Sequence, residues 1–106
     1  MLLTRLVHGE NRELLGYMME CPGCESHHAI YTETRNDVGA VWQFDGNMEK
    51  PTFNPSILCR WKYGEAQVEK VCHFFVRQGM IEFLSDCTHA LAGKTVAMVD
   101  MEKGEE

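Results

Sequence analysis

No apolar pattern in this 106-residue chain keeps the 3.6-residue period of an amphipathic helix. The apolar residues fall in short or alternating runs divided by Gly, Pro, Asn and Asp. That restricts the chain to a mostly β fold, a small antiparallel sheet or sandwich with at most one short helical turn. Strands are expected at "LLGYMME" (14–20), "HAIYTET" (28–34), "AVWQF" (40–44), "SILCRW" (56–61) and "KTVAMV" (94–99). Between them, "NMEKPTFNPS" (47–56) holds Pro51 and Pro55, whose missing N–H groups mark a structured loop. Thr88 to Ala92 reads as the one helical turn, stopped by Gly93.

The strongest hairpin signal is "VCHFFVRQGMIEFL" (71–84), two β-rich runs joined around Arg77-Gln78-Gly79. A type I turn with Gly79 as a left-handed bulge residue pairs Val76 with Met80 and sets His73 opposite Phe83. His73, Phe75, Ile81 and Phe83 then share the buried face, and Cys72 points away. A two-residue turn would instead bring Ile81 and Phe83 onto the face of Cys72.

The length suits one domain, 1–106, with an ordered core over about 14–99 and a charged C-terminal tail at 100–106. A core of this size buries only about 60 to 65% of the unfolded chain's surface, so a cross-link adds stability out of proportion to its size. The start, "MLLTRLVHGENR", has its apolar run interrupted by Arg5 and His8, and no segment is apolar enough to span a membrane. A cytoplasmic protein is expected. With five cysteines, an odd number, in a reducing compartment, the sequence favours metal binding over disulfides. The net charge of −6, from 16 acidic and 10 basic residues without a basic stripe, disfavours nucleic-acid binding.

Cys21-Pro22-Gly23-Cys24 lies between two expected strands, the setting of a zinc knuckle, in which backbone N–H groups bond the thiolates while both sulfurs face one ion. Such a pair supplies two of four ligands. The others are sought at the open end of the 71–84 hairpin, where Cys72 and His73 begin one strand and Cys87 and His89 follow its partner. The bulged register selects Cys21, Cys24, His73 and Cys87 for Zn2+, with Cys72 and His89 as alternates. A redox role for the C-P-x-C pair is disfavoured because β-rich sequence, not a helix, follows it. His28, Asp86 and His89 are the candidates for acid–base work should the metal keep an open position. Neither an H-E-x-x-H motif nor the zinc-deaminase order is present.

The stretches "GYMMECPGCESHHAI", "VWQFDGNMEKPTFNPSIL" and "CHFFVRQGMIEFLSDCTHALAGKTV" resemble a family of small phage and prophage proteins of unknown function, sometimes labelled "ammonia monooxygenase". The resemblance spans roughly residues 14–98 through C-P-G-C, W-x-F-x-G, P-T-F-x-P-S, C-H-x-F-V and D-C-T-H-x-L-A-G. It carries over Cys21, Cys24, His28, Trp42, Pro51, Thr52, Pro55, Ser56, Cys72, His73, Asp86, Cys87 and His89. Glu25 stands where the family pattern has Gly. A phage accessory protein in a bacterial cytoplasm is what the resemblance implies; the oxygenase label is discounted, because a membrane copper enzyme would need transmembrane helices.

Taken together, these features favour a zinc-stabilised module that binds a host or phage protein, not an enzyme. The alternative is a metal-dependent hydrolase at the open end of the hairpin.

Overall fold

The computed structural model describes residues 1–101; the expected tail lies, from residue 102 on, outside the described residues. Eight strands form two antiparallel sheets, and no helix occurs among the described residues. The first sheet has the order β1-β2-β3, with β1 Thr4–His8, β2 Glu13–Cys21 and β3 Ser26–Tyr31. The second runs β4-β5-β6-β7-β8, with β4 Gln43–Phe44, β5 Phe53–Tyr63, β6 Val68–Arg77, β7 Met80–Phe83 and β8 Thr95–Ala97. Over Thr88 to Ala92 the chain makes turns, closed by bonds such as Ala92 N–H to the His89 carbonyl. The described chain contains no segment that is a helix long and apolar enough to cross a membrane.

Alternation along the strands sends one set of side chains inward from each sheet. Met19, Cys21 and Ile30 from the first sheet meet Phe53, Ile57, Phe74, Val76, Ile81 and Phe83 from the second. Rings bridge the layers: Tyr17 lies 4.8 Å from Phe44, and His28 lies 5.3 Å from Phe74. Leu3, just before β1, is fully buried, so the packed core begins ahead of the stretch expected from the alternating runs.

The 71–84 hairpin differs from the expected bulged form. Arg77 pairs with Met80, Val76 with Ile81 and Phe74 with Phe83, across the two-residue turn Gln78-Gly79. Both turn residues are left-handed, at φ 49° and 79°, which is the primed turn whose twist suits a hairpin. Tertiary contacts hold it: Gln78 N–H donates to Thr52 Oγ1 at 2.8 Å, and Gly79 N–H to the Pro51 carbonyl at 2.9 Å. This one-residue change reverses the faces. Cys72, Phe74, Val76, Ile81 and Phe83 point into the core, and His73 points out.

A second irregularity sits on β5. Its register with β6 jumps from Phe53 opposite Val76 to Ile57 opposite Phe74, so Asn54, Pro55 and Ser56 lie against Phe75 alone. A bulge of this kind re-aims a side chain. Ile57 is buried, and Ser56 emerges on the outer face beside His73.

Candidate active site and metal centre

Reversal of the hairpin faces separates two neighbouring residues into two different sites. Inward, Cys72 reaches the knuckle at the end of β2. Cys21, Cys24, Cys72 and His89 present ligand atoms that all lie within 4.8 Å of one another. The Cys21 and Cys72 sulfurs are 3.8 Å apart, and Cys72 Sγ lies 3.4 Å from His89 Nε2. Tetrahedral zinc with ordinary bond lengths sets such spacings at about 3.8 Å and about 3.5 Å, so these two spacings match those of ligands sharing one ion. The knuckle is closed locally by the Cys24 N–H bond to Cys21 Sγ at 3.4 Å and the Glu25 N–H bond to the Cys21 carbonyl at 2.8 Å. Glu25 is left-handed at φ 56°, which accounts for glycine in the pattern that this chain resembles.

The electrostatics of the cluster call for a cation. The Cys21 thiol is held down at about 3, chiefly by the hydrogen bond from Cys72 and against its burial. Cys24 is pushed up to about 11 by burial and by the negative charge on Cys21. Cys72 is driven up as well, since its proton is held in the bond to Cys21 and its surroundings are dry. Only one of three adjacent thiols is thus comfortable as an anion until a positive charge sits among them.

The metal-ligand candidates sort as follows. Cys21 and Cys24 are in the cluster together with Cys72 and His89, the two residues held as alternates. His73 and Cys87 are not, because the two-residue turn faces His73 outward and the following loop uses Cys87 elsewhere. Cys87 Sγ accepts the His73 N–H at 3.2 Å and donates to the His73 carbonyl at 3.2 Å. Leu84 N–H also donates to that carbonyl, and Thr88 bonds Val71 through both backbone and hydroxyl. Residues 84–89 are thereby strapped along β6.

The strap delivers Asp86 to the outer face. Ser56 Oγ lies 3.2 Å from His73 Nε2, and His73 Nδ1 lies 3.0 Å from Asp86 Oδ2. With the serine hydroxyl donating to Nε2 and Nδ1–H donating to the carboxylate, the three groups stand in the order that nucleophile, base and orienting acid take in an acyl-transfer triad. The side chains of His73 and Asp86 are 25% and 51% exposed, so a substrate can approach. Trp42 fixes the nucleophile's backbone, its indole N–H donating to the Ser56 carbonyl at 3.0 Å.

Of the three acid–base candidates, Asp86 joins the triad, His89 joins the metal cluster, and His28 lies between the sheets at 8% exposure. Burial disfavours its charge, yet the Cys21 and Cys59 thiols beside it raise its pKa to about 9. His28 Nδ1 is 3.5 Å from Cys59 Sγ, while its Nε2 has no hydrogen-bond partner among the described residues. Ser56 received no chemical role from the sequence, although the P-T-F-x-P-S motif carries it.

Comparison with known proteins identifies the family. No curated protein and no solved structure matches the chain. A family model does, described as bacterial ubiquitination-like system serine protease (BubE), over residues 4–84. That span contains Ser56, His73 and the three clustered cysteines and stops just before Asp86 and His89. Since the match runs from β1 through β7, the chain belongs to the BubE family.

Proposed function

We propose that this protein is a serine hydrolase that cleaves a polypeptide chain. The observation that carries the reading is the unbroken line from Ser56 through His73 to Asp86. The family's description as a serine protease names the reaction that such a line performs. His73 Nε2 takes the Ser56 proton as Oγ bonds to the substrate carbonyl carbon; the C–N bond then breaks and the proton passes to the leaving amine. Water, deprotonated by His73, releases the acyl group and restores Ser56. The protein partner expected from the acidic surface becomes, in this reading, the substrate.

Cys21, Cys24, Cys72 and His89 would hold zinc, which when bound supplies structural cross-linking with no position left open. A metal-dependent hydrolase is less well supported, because His89 stands among the four donors and Asp86 bonds His73. A bacterial cytoplasm, reached through a phage or prophage, is the setting we infer from the resemblance and from the family's ubiquitination-like context.

Turnover of casein or an activated ester tests the proposal. Ser56→Ala is expected to lower the rate about 10⁴-fold or more with the fold intact. Asp86→Asn should cost less, about 10²-fold, since its carboxylate is half exposed and its interaction with His73 is screened. Hydrolysis that persists in folded Ser56→Ala protein would sink the reading, and would return attention to metal-bound hydroxide.

A further inference from the structure

A groove opens directly beside Ser56, and His73 is not among the residues that line it. It has a volume of about 380 Å³ and is walled by Arg35, Val38, Val41, Trp42, Ser56 and Leu58, among others. Its position relative to the triad assigns its role. His73 sits on β6, on one flank of β5, while the 35–42 loop leads into β4 on the other flank. The base must hand its proton to the leaving amine, so the leaving group departs on the β6 side. The acyl portion of the substrate therefore lies on the β4 side, in the groove.

Three properties of the groove define what it accepts. Its rim is apolar: Val38 is 82% exposed and Leu58 44%, with no element covering either among the described residues. Among the described residues no carboxylate lines it, and the one charged wall is Arg35, whose guanidinium donates to the Gly39 carbonyl at 2.9 Å. A lysine or arginine side chain would meet like charge there, and an aliphatic one would cover exposed apolar surface. The loop is also preorganised. Asn36 Oδ1 accepts the N–H groups of Val38 and Ala40, and Asn36 N–H donates to the Ala40 carbonyl. Trp42 N–H is fixed to the Tyr31 carbonyl at 2.8 Å. Between these anchors the N–H and C=O of Val41 make no hydrogen bond among the described residues. An extended peptide can pair with that backbone as an added strand.

We propose that this groove is the acyl-side subsite: it takes an extended polypeptide segment along Val41 and selects an aliphatic residue, against lysine and arginine, at the carbonyl that Ser56 attacks. The inference rests on the triad reading above and adds the substrate's identity at one position.

The test uses the full chain and a library of fluorogenic peptidyl amides varied at the acyl-side residue, together with a fluorophosphonate probe that reports Ser56 reactivity without needing the groove. The probe should label Ser56, and leucine or valine substrates should exceed lysine and arginine by about 10-fold or more in kcat/KM. Arg35→Glu, on an exposed loop, should reverse that ratio. A flat profile, a preference for lysine, or a ratio unmoved by Arg35→Glu would contradict the groove while labelling upholds the triad. Labelling without cleavage of any library peptide contradicts it equally, since a subsite for an extended segment must act on peptides. Absence of labelling overturns the triad, and the groove's role falls with it.

Discussion

Cys72 and His73 are adjacent in the chain, yet one faces a buried thiol cluster and the other a half-buried hydroxyl on the outer face. Strand alternation makes that division automatic, and the next loop repeats it, sending Asp86 outward and His89 inward. Two short stretches thus each supply one residue to each site. Gly23 is the residue on which the inner site depends most sharply, because a Cβ built there would overlap the His89 ring. Gly23→Ala must displace either the knuckle or the imidazole, at a cost of about 1–3 kcal/mol. The expected outcome is weakened metal binding, read by competition with a chromophoric chelator, together with a lower melting temperature. Unchanged metal affinity would contradict the placement of His89. The sequence pointed to Cys21 and Cys24 from spacing alone, since a tight turn between strands is a local feature. It did not point to Ser56, because a serine acquires meaning only from a base that arrives from another strand.

The hairpin turn shows why the remaining ligands were harder to read. Arg77-Gln78-Gly79 admits both a bulged and a two-residue turn, and a single-residue difference between them exchanges the two faces of β6 relative to β7. What selects the two-residue form is tertiary: the 51–52 loop accepts the N–H groups of Gln78 and Gly79. Local propensity cannot report that contact. Gln78 carries a Cβ at φ 49°, which costs up to about 1 kcal/mol relative to a residue suited to the left-handed region. Gln78→Asn should therefore raise the melting temperature by a few degrees with the hairpin register unchanged. A loss of stability would argue for a different turn. The strands themselves were largely legible, from their alternation and their bounding Gly, Pro and Asn residues. β1 was not, for "TRLVH" is brief and charged, and its place is set by pairing with β2.

At the scale of the molecule, the cluster joins the two sheets: Cys21 ends β2 in the first, and Cys72 lies in β6 of the second. The same junction touches the outer site, because Cys72 precedes His73 and His89 follows the Asp86 loop. Chelation is expected to lower the melting temperature by on the order of 10 °C or more, and to abolish Ser56 reactivity as the strap loosens. Hydrogen exchange should show β2, β3 and residues 84–89 losing protection together; protection lost elsewhere first would count against this coupling. Acid should act in the same direction. The Cys21 pKa is depressed to about 3 from 9, so its contribution is present above the higher value and is lost as pH falls toward the lower one. Metal retention and melting temperature should accordingly fall together as the pH drops below neutral, whereas a metal affinity that does not change between pH 7 and pH 3 would contradict thiolate ligation. The central claim is that one hydroxyl, Ser56, does the chemistry with His73 as its base. Peptide mapping by mass spectrometry after fluorophosphonate treatment of the metal-loaded chain measures this directly. The account predicts a single adduct on Ser56 that disappears in His73→Ala protein; an adduct on another residue, or one on Ser56 that forms equally fast without His73, would contradict it.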